Sequence, residues 1–307
     1  MKKRVRVDVI LVNWNSGELS CEALSPYLNY QSESLHCVIH VVDNASTDNS
    51  HRALDAPAYH LIRNAQNLGF GKACNKAYPF CSGEYILLLN PDTRSSVTVL
   101  EKLVCFLENN PGFAVAGPQQ TDETDTISRT CGRFPTFLTA CFEVIGLSKI
   151  APNVFLPAPI MQDWNHLESR EVDHVMGSYM LIRKSALEKT GFMDEDYFVY
   201  MEDLDLSKRL HDAGYKAFFD ATCKVFHAGG ASGDKASAKR LSYSLHSRRI
   251  YWKKHLGPVS FIVLNILSLT IEPLIRIAQS LTNKNKPRIW SILKVYANYA
   301  LGRQVQN

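Results

Sequence analysis

The chain has eight cysteines, at 21, 37, 74, 81, 105, 131, 141 and 223, but no Cys-x-x-Cys pair among them. Scattered in this way, they read as reduced, mostly buried thiols in a cytosolic compartment. No Gly-x-Gly-x-x-Gly follows the first predicted strand, which speaks against a dinucleotide-dependent oxidoreductase. Low-complexity sequence and internal repeats are also missing. The opening Met1-Lys2-Lys3-Arg4 is basic but runs straight into a short strand with Arg6 and Asp8. It lacks the apolar stretch and cleavage site of a signal peptide. The apolar stretch 259–271 is interrupted only by Ser260, Asn265, Ser268 and Thr270. At about 13 residues it falls short of the roughly 20 that span a bilayer.

What is present is a globular composition. The 307 residues are 46% hydrophobic and 21% charged, enough for one large or two modest domains. The formal charge of +4 hides an asymmetry. Residues 235–307 carry thirteen Lys and Arg against a single acid, Glu272, while residues 1–234 hold 21 bases and 29 acids. A basic tail on an acidic body predicts an anionic partner for the tail. Arg248, Arg249, Lys253 and Lys254 bracket Tyr251 and Trp252, a mix suited to a lipid headgroup layer. Lys284, Lys286 and Arg288 form a second basic cluster. With apolar 259–271 between them, an anionic membrane surface is favoured over nucleic acid. The competing reading packs that stretch on the rest of the protein or uses it as an oligomer interface.

The most informative run is Tyr85-Ile86-Leu87-Leu88-Leu89, which stops at Asn90-Pro91-Asp92-Thr93. Five consecutive apolar residues predict a strand buried on both faces, and the proline, which cannot donate to a ladder, ends it. Asp92 then lies at the carboxyl edge of a parallel sheet, where open α/β folds hold ligands. A carboxylate there suits a divalent cation on a phosphate. The acidic cluster Glu202-Asp203-Leu204-Asp205, far along the chain, can supply a base.

Around this run, strands and helices alternate. Residues 7–12, 38–42 and 59–63 read as strands, 19–31 and 97–109 as helices, and 113–116 as a fifth strand. Ser46 or Thr47 is placed to cap the helix after the second strand. Residues 119–171, with Pro135, Pro152, Pro157 and Pro159, read as irregular, and regular structure resumes over 175–183. Residues 203–213 read as a helix with Leu204, Leu206 and Leu210 on its apolar face and Gly214 as its stop. A strand over 215–220 leads to His227. This alternation predicts right-handed βαβ units and a mostly parallel sheet.

Six motifs now stand in order: the stretch 7–15 ending L-V-N-W-N, V-V-D-N-A-S-T-D-N-S (41–50), N-L-G-F-G (67–71), L-L-L-N-P-D-T (87–93), G-S-Y-M-L-I-R (177–183) and Y-M-E-D-L-D-L-S-K-R-L (200–210). Together, over about residues 5–230, they resemble the GT-A glycosyltransferases of family 2. They are closest in flavour to bacterial rhamnosyltransferases of cell-surface polysaccharide assembly. The resemblance implies an α/β GT-A fold with a mostly parallel, Rossmann-like sheet, helices on both faces and a basic helical C-terminal tail. It divides the chain into a catalytic domain, 1–234, and a tail, 235–307. The nucleotide-sugar half covers about 1–118 and the acceptor half about 119–234.

The same resemblance assigns the chemistry. A nucleotide-diphospho-sugar would lie against Asn13, Asn15, Asp43, Asn67, Gly69, Phe70, Gly71, Asn75 and Asn90, with Asp43 on the nucleotide base. Asp92 occupies the place of the family's D-x-D motif, whose first acid is here Asn90, so a single carboxylate with diphosphate oxygens would hold Mg²⁺ or Mn²⁺, completed by His227. Asp203 would be the base that takes the acceptor proton, its pKa raised by the crowding of Glu202 and Asp205. Gly177, Ser178 and Glu202 would line the acceptor side. The expected reaction is inverting transfer of rhamnose or another deoxyhexose from a dTDP-sugar to a glycan or lipid-linked saccharide, on the cytoplasmic, inner face of the cell membrane. The alternatives are a UDP-hexose donor and, in another class, an inactive GT-A scaffold at the membrane.

Overall fold

The computed structural model describes residues 4–229, 234–282 and 288–303. They divide into two compact units: 1–132, 165–195 and 203–229 form the first, and 133–164, 196–202 and 230–307 the second.

The first unit is built on strand β1 (Val5–Asn13). Its Val7, Val9 and Leu11 share one core with Leu24, Leu100, Leu103 and Leu107. Asp8 and Ile10, one residue out of phase, face the other side of the sheet. Strands β2 (Leu35–Asp43) and β4 (Tyr85–Leu89) flank β1 in parallel, and β3 (Tyr59–Arg63) lies outside β2. Asn13 pairs with Asp43, and Asp43 with Arg63, so these strands end level. The expected run of buried residues in β4 is present at every position.

The remaining strands are β5 (Thr93–Arg94), β6 (Phe113–Thr121), β7 (Ile127–Ser128), β8 (Cys131–Gly132), β9 (Arg170–Val172), β10 (His174–Val175), β11 (Tyr179–Arg183) and β12 (Lys216–His227). A ten-stranded sheet runs β3-β2-β1-β4-β11-β6-β12-β5, with β7 on β6 and β9 on β12; β8 and β10 form a separate pair. The sheet is mixed: β11 lies antiparallel between β4 and β6. Helices α1 (Gly17–Leu24) and α4 (Val97–Asn109) cover one face. Outside that core, α3 (Phe70–Ala77) packs its buried Ala73, Cys74 and Ala77 against β1 and β2. Short α2 (Ser50–Ala53), α7 (Lys184–Thr190) and α8 (Glu202–Asp212) complete the set around the sheet.

Two local expectations are corrected. The first helix ends at Leu24, and a 3₁₀ turn over Ser25–Tyr27 carries Pro26 at its start. Neither Ser46 nor Thr47 caps the helix after β2, which begins only at Ser50; the Ser46 hydroxyl instead faces Asn13 and the Asn15 amide.

The second unit comprises α5 (Phe137–Val144), α6 (Leu147–Ile150), α9 (Asp234–His255), α10 (Gly257–Thr270), α11 (Glu272–Thr282) and α12 (Ile289–Ala300). The stretch 133–164 gathers with the tail rather than with an acceptor half, and Glu143 of α5 lies 3.6 Å from Arg248 of α9. Arg248 also pairs with Glu272, which Arg276 holds from the next turn at 2.7 Å. On α12, Ile292, Val295, Tyr296 and Tyr299 pack against Leu241 and Leu245 of α9.

This packing overturns the headgroup assignment for two aromatics, since Tyr251 is 0% and Trp252 1% exposed and Arg248 is buried with them. Lys253, Lys254 and Arg288 are exposed, whereas Lys284 and Lys286 lie outside the described residues. The apolar segment is also longer than the sequence suggests. Only Ile271 separates α10 from α11, and Gly257–Leu281, 25 residues, is long and apolar enough by composition to cross a membrane.

Candidate active site

The level ends of β1 and β2 place Asn13 beside Asp43. Asn13 is fully buried; its Nδ2 donates to Asp43 Oδ1 (2.8 Å) and Ser50 Oγ (2.8 Å), and its Oδ1 accepts from Ser20 Oγ (3.0 Å). Asn13 is therefore a brace for Asp43 rather than a ligand contact. The Ser46 amide donates to the other oxygen of Asp43 (3.3 Å). Asn15 is exposed, and its Oδ1 accepts from the Thr47 amide at 2.7 Å.

Asn44, which sequence reasoning missed, organises the next loop. Its Nδ2 donates to Asn67 Oδ1 (3.0 Å) and the Gly69 carbonyl (3.1 Å), and its Oδ1 accepts from Asn64 Nδ2 (3.0 Å) and the Leu68 amide (2.9 Å). The signal lay in its position, directly after Asp43 at the end of a buried strand. Asn67 Oδ1 also accepts from the Gly69 amide (2.9 Å), and Gly69 precedes α3 with φ at +83°, where a side chain is disfavoured. Gly71 is buried and Phe70 half-buried at the start of α3. Asn75, one turn into α3, ties to residues far along the chain. Its amide brackets Met193, donating to the carbonyl (2.9 Å) and accepting from the N–H (3.1 Å).

Asp92 and His227 come together in the structure. β5 and β12 pair Thr93 with His227, and His227 Nε2 lies 3.3 Å from Asp92 Oδ1. Burial raises the Asp92 carboxyl, but His227 and nearby backbone amides outweigh it and hold the pKa below the usual value. An ionised carboxylate and an imidazole, both partly accessible, offer the hard oxygen and borderline nitrogen donors that Mg²⁺ or Mn²⁺ accepts. The residues present fit such an ion. Asn90 stands in the same turn, its amide donating to the Ser178 carbonyl (2.9 Å). A second cluster, Asp8, His40 and Cys81, is close enough to hold a metal ion. There the Asp8 oxygens already accept from Arg6, His40 and the Gly83 amide, so it reads as a hydrogen-bonded tie between strands.

Asp203 sits in the first turn of α8. Its Oδ2 accepts from the Gly177 amide (2.8 Å) and its Oδ1 from the Leu204 amide (2.9 Å). The approach is close: a Cβ at Gly177 would stand 3.1 Å from Asp203 Oδ2, so a larger residue would press on that carboxylate. His174, also missed in the sequence, lies 3.6 Å from Asp203 through Nε2 and 2.9 Å from Ser207 Oγ through Nδ1. Burial pushes the His174 imidazole below its usual pKa. The crowding argument fails for Asp205: it is buried and paired with Arg209 at 2.7 Å, which neutralises it. Ser178 is also not open to an acceptor, being buried with its hydroxyl on Gln120 Oε1 (2.9 Å). Glu202 is buried, and Tyr200 and Met201 before it hold left-handed φ values of 70° and 65°. That conformation costs roughly 1–2 kcal/mol per residue.

A mixed α/β sheet with polar loops gathered at the strand ends, an Asp–His pair and a further carboxylate on α8 fits the GT-A class of glycosyltransferases. The sequence pattern of "Glycosyl transferase family 2" matches residues 8–191, and the chain belongs to that family. Among curated proteins it is 26% identical over 224 residues to an N-acetylglucosaminyl-diphospho-decaprenol L-rhamnosyltransferase of Mycobacterium tuberculosis, covering 69% of this chain and 73% of the relative. It is 25% identical over 197 residues to the rhamnosyltransferase WbbL of Escherichia coli, covering 61% and 65%. In structure it resembles a mannosyltransferase from Pyrobaculum calidifontis solved with GDP-Man and Mn²⁺, with a TM-score of 0.56 and 17% identity over 99% of this chain and 77% of that one. GalNAc-T7 solved with UDP, GalNAc and Mn²⁺ gives the same score at 12% identity, over 98% and 58%.

Proposed function

We propose that this glycosyltransferase moves a deoxyhexose, in the first instance L-rhamnose from a dTDP-sugar, onto a lipid-linked saccharide during cell-surface polysaccharide synthesis, with inversion at the anomeric carbon. The observation that carries the reading is the tie between the Asn90–Asp92 turn and Asp203 through adjacent residues. The Ser178 carbonyl accepts from the Asn90 amide, and the Gly177 amide donates to Asp203. The rhamnosyl group rests on the names of the two curated relatives, and the lipid-linked acceptor on that of the mycobacterial one.

Asp203 would receive the proton of the attacking acceptor hydroxyl as that oxygen bonds to the anomeric carbon and the bond to the diphosphate breaks. The nucleoside diphosphate then departs with the electron pair. Asp92 and His227 would hold the Mg²⁺ or Mn²⁺, which supplies positive charge against the diphosphate oxygens. Asp43, fixed by Asn13, would meet the nucleotide, and the Gly177 backbone would face the acceptor. The test is a panel of dTDP- and UDP-sugars with Mn²⁺ and a lipid-linked disaccharide-precursor acceptor, with product linkage read by NMR. Transfer from dTDP-rhamnose with inverted configuration is expected. Transfer from a UDP-hexose alone, or donor binding without any transfer or hydrolysis, would displace the proposal.

A further inference from the structure

The second unit exposes a continuous apolar stripe. Val259, Ile262, Ile266 and Leu269 of α10 and Leu274 and Leu281 of α11 are all exposed, Val259 at 74% and Leu281 at 73%. At 100° per residue these positions fall on one side of the helical run, while Leu264, Ser268 and Glu272, spaced by four, fall on the other and are buried. The run covers about 37 Å at 1.5 Å per residue. Single exposed apolar side chains are ordinary, but a stripe of this length marks a surface that another phase or molecule covers.

Two observations say what covers it. The first is charge: the described helices around the stripe expose Lys253, Lys254, Arg288 and Lys294, in a tail whose only acid is the buried Glu272. A second copy of this chain would bring the same positive surplus against itself, whereas anionic headgroups complement it. The second is α12, where Trp290, 83% exposed, shares a face with Lys294 four residues on, the pairing of aromatic and cation found at the headgroup boundary.

The same helices say how deep the contact goes. Glu272 lies within Gly257–Leu281 on its buried side and pairs with Arg248 and Arg276. Crossing a bilayer would carry these three charges into hydrocarbon or strip α9 away from them. Lying in the interface plane keeps the charged side on protein and gives only the apolar stripe to lipid.

We propose that α10 and α11 form an in-plane anchor that inserts this stripe into one leaflet of a phospholipid bilayer, with the surrounding cations selecting anionic surfaces. The attachment is apolar first and electrostatic second. It stands on the helices alone and not on the transfer chemistry.

The test uses the full chain added to preformed vesicles of phosphatidylcholine alone or with phosphatidylglycerol, separated by flotation at low and high salt. Wild type should float with both, more with phosphatidylglycerol, and its binding to phosphatidylcholine should survive high salt. The exposed pair Ile262→Glu with Ile266→Glu should lose binding roughly tenfold or more with an unchanged Tm. Equal flotation of this variant overturns the anchor, as does binding by wild type to neither vesicle. Binding only to anionic vesicles, reversed by salt, would reduce the contact to charge and overturn the insertion. A wild-type dimer that the two substitutions dissociate, without vesicle binding, would assign the stripe to a second copy instead.

Discussion

His227 Nε2 stands 3.3 Å from Asp92 Oδ1 because a two-residue strand, Thr93–Arg94, pairs antiparallel with the end of β12. The Ala228 amide closes the arrangement on the Asp92 carbonyl at 3.2 Å. The pairing of backbones, not the side chains themselves, brings the two donors together.

Removing either donor should therefore weaken metal binding without unfolding the protein. His227→Ala is expected to lower Mn²⁺ affinity by about 10- to 100-fold, by calorimetric titration, and Asp92→Ala by at least as much. EDTA should abolish transfer and Mn²⁺ should restore it. Full activity in chelator would remove the metal role from both residues.

The neighbouring carboxylates of α8 should separate cleanly by assay. Asp203→Asn keeps the shape, but its one carboxamide oxygen can accept only one of the two backbone amides that Asp203 holds. Tm should therefore fall modestly and donor binding should hold, while kcat falls on the order of 10²- to 10⁴-fold. Asp205 is buried against Arg209, and Arg209→Met should cost about 3–5 kcal/mol of stability by leaving that charge unpaired. A large kcat loss with normal Tm in the Arg209 variant would contradict this division.

Asn44→Ala should behave as a loop mutant. Four hydrogen bonds between the β2 end and residues 64–69 disappear, and each buried partner left unsatisfied costs about 1–3 kcal/mol before relaxation. A rise in donor KM larger than the fall in kcat, with a lower Tm, is expected. An unchanged KM would show that the loop does not shape the donor site.

Acid should find Asp8. Burial alone would raise its carboxyl, but hydrogen bonds from His40, Arg6 and the Gly83 amide hold it below its usual pKa. A depressed folded-state pKa adds stability that is fully present above the unfolded value of about 3.9 and is lost as pH falls through the folded value. Tm should therefore drop steeply below about pH 4 in wild type. Asp8→Asn should start lower at neutral pH and show a shallower acid slope. Parallel acid curves for the two proteins would rule out Asp8 as the group responsible.

The strands with level carboxyl ends were legible because periodicity reports burial, and β4, buried at every position, announced itself as a run without polar interruption. Asp92, His227 and Asp203 were singled out from a recognisable order of motifs, and the structure places Asp92 beside His227. Asn44 and His174 were not, because their importance lies in partners 20 to 33 residues away that no local pattern specifies. The inward turn of Asn13 and Ser178 was not legible for a related reason: a polar residue at a strand end or in a motif can face inward as readily as outward. In the tail, composition gave the charge and the apolarity correctly. It could not show that Tyr251 and Trp252 turn into the helix bundle while the stripe on α10 and α11 turns out.

The antiparallel insertion of β11 between β4 and β6 has a mechanical consequence. Gly177 and Ser178, the two residues before that strand, carry the Asp203 contact on the N–H of the first and the Asn90 contact on the carbonyl of the second. The gap between the carboxylate on α8 and the turn holding Asp92 is thus measured out by one dipeptide, like two jaws set on a common rivet. A chain built this way has little freedom to retune one jaw alone. Changes in which sugar or acceptor is taken would have to be made in the loops around the rivet, leaving residues 177 and 178 in place.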